Sequence, residues 1–273
     1  MSKEKIIFAD KKLAERIERV DGLSNAAFVD ARAKLFPDSN AEWREIGGAF
    51  AMFDTVESPL TQVFGLGLFQ ETDADTIKEI EGFFRNHNAP VLIEVCSLAD
   101  ISVSNLLHER GYQPVEQSNV LVKPIDEEFP LTFLSEVQAR LVRTEEKDVW
   151  INTIAKGWSE GNEEITQMFS DISQVSFETK GTHCFAAILN NEIIGGGVAI
   201  ICEGIAALAG VSTVTEHRRK GAQNALFNFR INFAREHNCD MATVVTLPGS
   251  DSQRNAERNG FRVAYTRMKW MLN

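Results

Sequence analysis

The sequence predicts an α/β protein whose mixed sheets are flanked by helices and arranged as two copies of one domain. Strand-like and helix-like hydrophobic patterns alternate along the chain, which is typical of this class. The length of 273 residues suits two domains of about 130 to 140 residues each. In addition, a segment near residue 90 and a segment near residue 240 show the same order of elements, which indicates an internal repeat.

The first half of the chain begins with helices. Leu13, Ile17 and Val20 recur at helical spacing, and a second helical segment is predicted over 24–35. Turn, strand and helix signals follow in this order: a turn at 37–40, strands at 47–53 and 63–69, a helix at 73–88, a buried strand at 90–96, a short helix at 102–110 and a strand at 115–122.

The second half follows a predicted linker over 123–130, which contains two prolines and three acidic residues. We therefore predict domains at 1–125 and 126–273. The second domain is predicted to contain a strand at 137–142, helices at 146–160 and 163–178, a hairpin of 183–189 and 193–200, a strand at 205–213, a helix at 221–237, a strand at 241–246, a short helix at 250–259 and a strand at 262–271.

The internal repeat is visible in matching sequence fragments. Residues 84–88 (FRNHN) correspond to residues 234–238 (AREHN), and residues 109–112 (ERGY) to residues 258–261 (RNGF). The Asn-to-Gly spacing is 23 residues in the first copy and 22 in the second. Chance agreement of a few letters is the alternative, but the matching order of elements favours duplication.

Composition and charge limit the classes of partner. Hydrophobic residues make up 44% of the chain and the net charge is −11. Such a charge argues against nucleic acid and anionic membranes as main partners, and it is compatible with a cationic amine. No stretch of 18 apolar residues predicts a membrane span, and the N-terminus lacks a signal-peptide pattern, so we expect a cytoplasmic protein.

The four cysteines predict reduced thiols rather than disulfides or a metal site. They are widely separated, lie among apolar residues and show no Cys/His metal spacing. Cys202 and Cys239 are interpreted as packing residues, because no histidine spacing supports their activation.

A basic turn between a strand and a long helix carries the strongest functional signal. Arg218, Arg219 and Lys220 precede Gly221, Ala222 and Gln223, which open the helix. The start of a helix offers backbone N–H groups without intrahelical partners and a positive dipole end, both of which favour a pyrophosphate. A basic loop before an ordinary amphipathic helix is the alternative, and the strand-to-helix context favours the anion site.

This turn resembles the signature of the GNAT acetyltransferases, Arg/Gln-x-x-Gly-x-Gly/Ala. Arg218 and Gly221 match it, whereas Gln223 replaces the final small residue. The resemblance extends over about residues 131–273 and, in outline only, over 1–125. It implies two GNAT-like domains, each with a mixed sheet that splays where two parallel strands part.

The resemblance implies that acetyl-CoA is bound in that gap. Its pantetheine arm would pair with the backbone of Val211, Ser212 and Thr213, and its pyrophosphate would lie on residues 218–223. Asn255 and Ser252, on the short helix, could hydrogen-bond the cofactor, although either could equally be an ordinary surface residue.

The usual catalytic pair of the family has no counterpart here. Ala207 stands where several relatives have a glutamate base, and Ala256 stands where many have a tyrosine acid. The two tyrosines, Tyr112 and Tyr265, do not fit that position. The catalytic residues are therefore unknown: water, other groups or orientation alone could serve.

Three further residues are candidates for the acceptor pocket because they flank the helices that cap it in similar proteins. They are Trp158, Glu178 and His183, and each has an ordinary structural alternative. In the first copy, the turn equivalent to 218–223 contains Glu71, Asp73 and no basic residue, so we expect a degenerate domain without a cofactor site.

The predicted function is acetyl-CoA-dependent N-acetylation of a small amine. Two alternatives stay open: a non-catalytic acyl-CoA-binding or sensing protein, and a transferase of aminoacyl or long acyl groups. The strong pyrophosphate turn weighs against the last. The acceptor remains unidentified, and the oligomeric state is left open, a homodimer included.

Overall fold

The structure is a computed structural model that describes residues 7–125 and 136–272. Its contacts divide the chain into two compact units. The first unit contains residues up to Leu121 together with Val245–Gln253 and Arg262–Asn273, and the second contains Val122–Val244 and Arg254–Phe261. No helix among the described residues is long and apolar enough to span a membrane.

Residues 7–125 of the described chain form three α-helices and five strands. In order, they are α1 (Lys11–Leu35), β1 (Glu42–Ile46), β2 (Ala49–Phe53), β3 (Gln62–Phe64), α2 (Ala74–Asn86), β4 (Val91–Cys96), α3 (Ile101–Glu109) and β5 (Gln113–Pro124).

The described part of the C-terminal half contains four helices and six strands. In order, they are β6 (Gln138–Leu141), α4 (Lys147–Ser159), α5 (Glu163–Glu178), β7 (Thr182–Leu189), β8 (Glu192–Cys202), β9 (Ile205–Thr213), α6 (Ala222–Glu236), β10 (Met241–Thr246), α7 (Asp251–Arg258) and β11 (Arg262–Leu272).

The sheet of the first unit is mixed, with neighbouring strands in the order β1-β2-β3-β4-β11. β3 and β4 are parallel, with Val63 opposite Ile93, while the other neighbours pair antiparallel. Apolar residues of α2, such as Ile77, Ile80 and Phe84, pack on this sheet and are fully buried. Burying these side chains supplies the main favourable free energy of the unit.

The sheet of the second unit runs in the order β10-β9-β8-β7-β6. β9 and β10 are its parallel pair, and the remaining neighbours are antiparallel. α4 packs against β7 and β8 through Trp150 and Ile154, and the indole N–H of Trp150 donates to the Phe185 carbonyl at 2.9 Å.

The two halves share one order of elements. Each contains two consecutive antiparallel strands, a helix, a strand parallel to the second of them, a short helix and a further strand. The repeated order and the repeated parallel pair confirm the fold class predicted from the sequence. The predicted domains 1–125 and 126–273 stay a prediction, and residues 126–135, with most of the predicted linker, lie outside the described residues.

The last strand, β11, lies in the first unit rather than beside the second-half strands that precede it in sequence. Trp270 of β11 stands opposite Ile93 of β4. Buried Arg267 donates to Glu18 at 2.6 Å and also to Asp21, and Tyr265 donates to Glu18 at 2.8 Å. These bonds attach β11 to α1.

Three sequence predictions for the N-terminal half are corrected by the structure. The predicted strand 47–53 starts at Ala49, because Gly47 and Gly48 adopt positive φ and form the turn of a hairpin. Its partner β1 was missed because its charged residues hide the strand signal. Residues 11–35 form one helix instead of two, and the strand predicted over 63–69 ends at Phe64.

Candidate functional site

A gap opens between the two parallel strands of the second unit. The last pair in register is Ala207 of β9 with Thr243 of β10, while β9 continues to Thr213. Beyond Ala207, the main-chain N–H and C=O groups on the β10 side of β9 therefore have no partner on β10 in this register. Ala209 and Gly210 are exposed there, and Ser212 and Thr213 are buried. This is the splay that the resemblance implies.

A β-bulge interrupts β9 within this stretch. Gly196 pairs with Ser212 and Val198 pairs with Ala209, so Gly210 and Val211 together lie opposite Gly197 alone. Gly210 has φ of 62°, a left-handed conformation that favours glycine. A bulge bends its strand and redirects its polar groups, and bulges are common next to active sites.

The turn after β9 leads directly into α6. A short 3-10 turn covers Thr215–His217, and Gly221 then caps the helix with φ of 94° and no side-chain hydrogen bond to the helix. Arg219 also has a positive φ, 66°. Because no side chain caps α6, the N–H groups of its first turn remain available to an anion, and the helix dipole adds positive potential.

The side chain of Arg218 faces the fold rather than the open side of the turn. Its guanidinium donates to the Gly157 carbonyl at 3.0 Å, to Glu160 at 2.6 Å and to the Thr213 carbonyl at 3.3 Å. Gly157 and Glu160 lie at the C-terminal end of α4. Arg218 therefore connects the turn to the corner between α4 and α5.

Arg219 and Lys220 are exposed, as is part of the Arg218 side chain, but they do not share its contacts with α4. The Lys220 ammonium donates to Nδ1 of His217 at 3.2 Å. Within the described ranges, neither residue forms an ion pair with a carboxylate. Their positive charge is therefore not neutralised by the protein.

A set of amides joins the start of α6 to α7. Asn255 donates to the side-chain oxygen of Gln223, and Asn259 donates to Asn224 at 3.2 Å. The structure thus brings together the predicted cofactor residues Gln223 and Asn255. Asn224 and Asn259 were not identified from the sequence, because asparagine is common on helix surfaces and carries no spacing signal.

The predicted strand residues differ in what their side chains do. The Ser212 hydroxyl donates to the Ile154 carbonyl at 2.9 Å, which ties β9 to α4. The Thr213 hydroxyl is buried and has no hydrogen-bond partner among the described residues. Val211 is half-buried at the bulge, and Ala222 is buried at the start of α6. Only Thr213 offers an unused side-chain group.

The positions of the absent catalytic pair are now clear. Ala207 stands at the last paired position before the strands part, and Ala256 is fully buried on α7. Both tyrosines lie in the first unit, where Tyr112 donates to Glu81 and Tyr265 to Glu18. Neither tyrosine is therefore part of the second unit's turn.

The three acceptor-pocket candidates do not gather at one place. Trp158 stacks on Phe169 with ring centroids 4.9 Å apart and is 44% exposed. Glu178 instead pairs with Lys147 at the start of α4, and His183 lies against Phe233 and His237. Trp158 alone lies at the α4–α5 corner that Arg218 contacts.

The thiols fit packing roles. None of the four cysteines forms a disulfide, and Cys96, Cys184 and Cys239 are buried. Burial raises the pKa of the Cys96 and Cys184 thiols to about 12, so neither is a thiolate near neutral pH.

The corresponding turn of the first unit serves the fold. The Asp73 carboxylate caps α2 by accepting hydrogen bonds from the Thr76 amide at 2.8 Å and the Thr76 hydroxyl at 2.7 Å. Those bonds hold the pKa of Asp73 below its usual value. An ionised carboxylate at this helix start occupies the position an anion would need.

Comparison with known proteins agrees with this geometry. Residues 145–261 match the sequence profile of the Acetyltransferase (GNAT) family. This stretch, which is less than half of the chain, is similar to the GNAT acetyltransferases. The matched range includes the splayed strands, the basic turn and α7, and the similarity is consistent with an acyltransferase.

Solved structures show the same fold over nearly the whole chain. A GCN5-related N-acetyltransferase from Kribbella flavida is 18% identical with a TM-score of 0.64, covering 90% of this chain and 95% of its own. One from Sphaerobacter thermophilus is 12% identical with a TM-score of 0.60, covering 93% and 91%.

A tandem GNAT protein from the clavulanic acid biosynthesis pathway is 9% identical with a TM-score of 0.61, covering 97% of this chain and 96% of its own. At these identities the likeness concerns the fold alone. No curated protein sequence gives a significant match.

Proposed function

We propose that the second unit is an acetyl-CoA-dependent N-acetyltransferase that acts on a small amine. The observation that carries the proposal is the turn from β9 into α6, where an uncapped helix start meets two cations without acidic partners. Acetyl-CoA would supply an activated acyl thioester and a diphosphate that such a turn can hold.

The residues present fit a nucleotide thioester. The N–H groups from Arg219 to Gln223 would bind the diphosphate, with the charges of Arg219 and Lys220 beside them. The free edge of β9 from Val211 to Thr213 would pair with the amides of the pantetheine arm, much as a strand would. The buried Thr213 hydroxyl, which has no hydrogen-bond partner among the described residues, would be available to bond the pantetheine arm.

The amine would be oriented rather than strongly activated. Ala207 and Ala256 provide no base or acid, so we infer that water removes the ammonium proton and that the protein contributes position and desolvation. The net charge of −11 favours a cationic acceptor over an anionic one.

Calorimetric titration of acetyl-CoA tests this site. Reversing the two free cations (R219E with K220E) should weaken binding by at least about tenfold, since charge-assisted bonds to phosphate are lost. The matched control is K34E with K180E, which makes the same charge change at two exposed lysines away from the turn. Equal weakening in both double variants would contradict a specific diphosphate site.

Backbone geometry gives a second arm of the same titration. Gly221→Val places a β-branched side chain at φ of 94° and should abolish binding. Gly111→Val is the control, because Gly111 has φ of 91° in the first unit with open space around it. Wild-type affinity in the Gly221→Val protein would defeat the assignment.

A non-catalytic acyl-CoA-binding protein is the second candidate, favoured by Ala207 and Ala256. Release of free thiol from acetyl-CoA in the presence of a panel of small amines separates the two. Amine-dependent thiol release supports the transferase, and binding without such release supports the sensor.

A further inference from the structure

An arginine on α6 lies completely buried beneath the sheet of the second unit. Arg230 has no solvent exposure, and within the described part of the chain it has no carboxylate partner. Its acceptors are main-chain carbonyls: Leu226 at 3.2 Å, Val198 at 2.9 Å and Ala209 at 3.4 Å. The ring of Phe227 lies 5.3 Å from the guanidinium carbon.

This burial is costly. An unpaired charge removed from water destabilises a fold by several kcal/mol unless other groups compensate. Desolvation lowers the pKa of the Arg230 guanidinium to about 9, and its second terminal nitrogen has no partner among the described residues. A methionine of similar length would pack here without this cost, so stability alone does not account for arginine.

The carbonyls that Arg230 binds lie at the bulge. Val198 and Ala209 are the strand pair next to the position where Gly210 and Val211 share one partner, Gly197. A bulge locally disrupts the ladder and needs other donors for its carbonyls. The Nη1 group supplies one donor to each strand and so holds them together at that position.

Gly197 leaves the room that this arrangement needs. A methyl group there would lie 3.2 Å from Nη1 of Arg230 and 2.8 Å from the Val211 side chain. The guanidinium and the Val211 side chain thus both lie against the glycine opposite the bulge.

We propose that Arg230 is a positioning residue that fixes the bulge of β9, and with it the direction of the Gly210 and Val211 main-chain groups that would face the acyl donor. This inference rests on the proposed function for what the groups bind. It does not make Arg230 a catalytic residue, because its side chain is sealed from the gap.

Amide hydrogen exchange of the free protein tests the inference without a ligand. In Arg230→Met, the peptide covering Leu208–Ser212 should exchange at least about tenfold faster than in the wild type, since the bulge loses its donor. Peptides of α4 should be unchanged. Asn232→Leu is the matched control, because Asn232 is buried on the same helix and bonds only within it.

Ligand measurements on the same proteins distinguish positioning from general packing. In Arg230→Met, we expect kcat for acetyl transfer to fall at least about tenfold and the affinity for CoA to fall by less, because the diphosphate turn stays intact. Arg230→Lys keeps a charge, but its side chain is one bond shorter and lacks the Nε donor to the Leu226 carbonyl, so it should show the same split to a smaller extent.

The outcomes separate this inference from the proposed function. A wild-type protein that binds no CoA contradicts the proposed function, while the exchange experiment still decides the role of Arg230. Unchanged exchange at 208–212, a uniform increase across the second unit, or failure of both Arg230 variants to fold would overturn the inference.

Discussion

Single residues in the basic turn differ in how firmly they are bound to the rest of the fold. The sequence grouped Arg218, Arg219 and Lys220 as one positive cluster, which was reasonable because all three carry charge at a helix start. The structure separates them, since Arg218 is bonded to Gly157, Glu160 and Thr213. A contact across 58 residues of sequence leaves no local pattern, so no spacing argument could have found it.

Truncating these arginines should therefore have different consequences. Arg218→Ala should lower the free energy of unfolding of the second unit by about 1 kcal/mol, because hydrogen bonds to two elements are lost. Arg219→Ala should leave that stability unchanged and reduce acetyl-CoA affinity. Thermal melting and calorimetry on both variants check this, and an Arg219 variant that melts as early as the Arg218 variant would contradict the division.

Arg230 and the missing catalytic pair show two different limits of prediction from single residues. The absence of glutamate at 207 and tyrosine at 256 is visible in the sequence and its meaning depends on a resemblance. The burial of Arg230 is invisible there, because a charged residue in an amphipathic helix ordinarily lies on the solvent face.

At the scale of elements, strong periodic patterns were predicted well. The helix predicted over 163–178 and the strand over 205–213 match α5 and β9, and the Asn190–Asn191 turn has positive φ at both residues, as a tight hairpin requires. β1 was not predicted because its charged residues masked the strand pattern, and α1 was predicted as two segments with Gly22 between them. Gly22 is in fact packed against Phe50, where a side chain would collide.

The contact between β7 and α6 predicts a pH dependence. Burial, and then the charge of His237, lower the pKa of His183 below its ordinary value. A histidine with a depressed folded pKa stays neutral while the unfolded chain takes up a proton. Its contribution to stability is therefore present above the ordinary pKa and is lost as the pH falls.

Melting temperatures between about pH 7 and pH 5 measure this effect. The wild type should lose stability over that interval, and His183→Phe, which keeps the aromatic contact with Phe233, should lose less. His108→Gln changes an exposed histidine and is the control. An identical pH slope in wild type and His183→Phe would show that this contact is not titrating.

At the scale of the whole molecule, the repeat was predictable and the position of the last strand was not. Matching fragments near residues 84–112 and 234–261 indicated two copies, and the two halves do share their element order. The position of β11 beside β4 depends on long-range packing of Arg267 with Glu18 and Asp21. Such packing connects residues nearly 250 positions apart and has no local signal.

Breaking that network should destabilise the first unit selectively. Arg267→Leu leaves the Glu18 carboxylate buried without its cation and should cost about 3–5 kcal/mol. Lys269→Leu, on the same strand, loses a partly exposed pair and should cost about 1 kcal/mol or less. Urea titration with hydrogen exchange read separately for α1 and α4 measures this, and equal effects of the two variants would argue against the network.

The most direct test of the central claim is a crystal structure of this chain with acetyl-CoA. The account predicts the diphosphate within hydrogen-bonding distance of the backbone N–H groups from Arg219 to Gln223, with the thioester beside the bulge at Gly210 and Val211. A nucleotide bound elsewhere, with the start of α6 uncontacted at saturating acetyl-CoA, would contradict it.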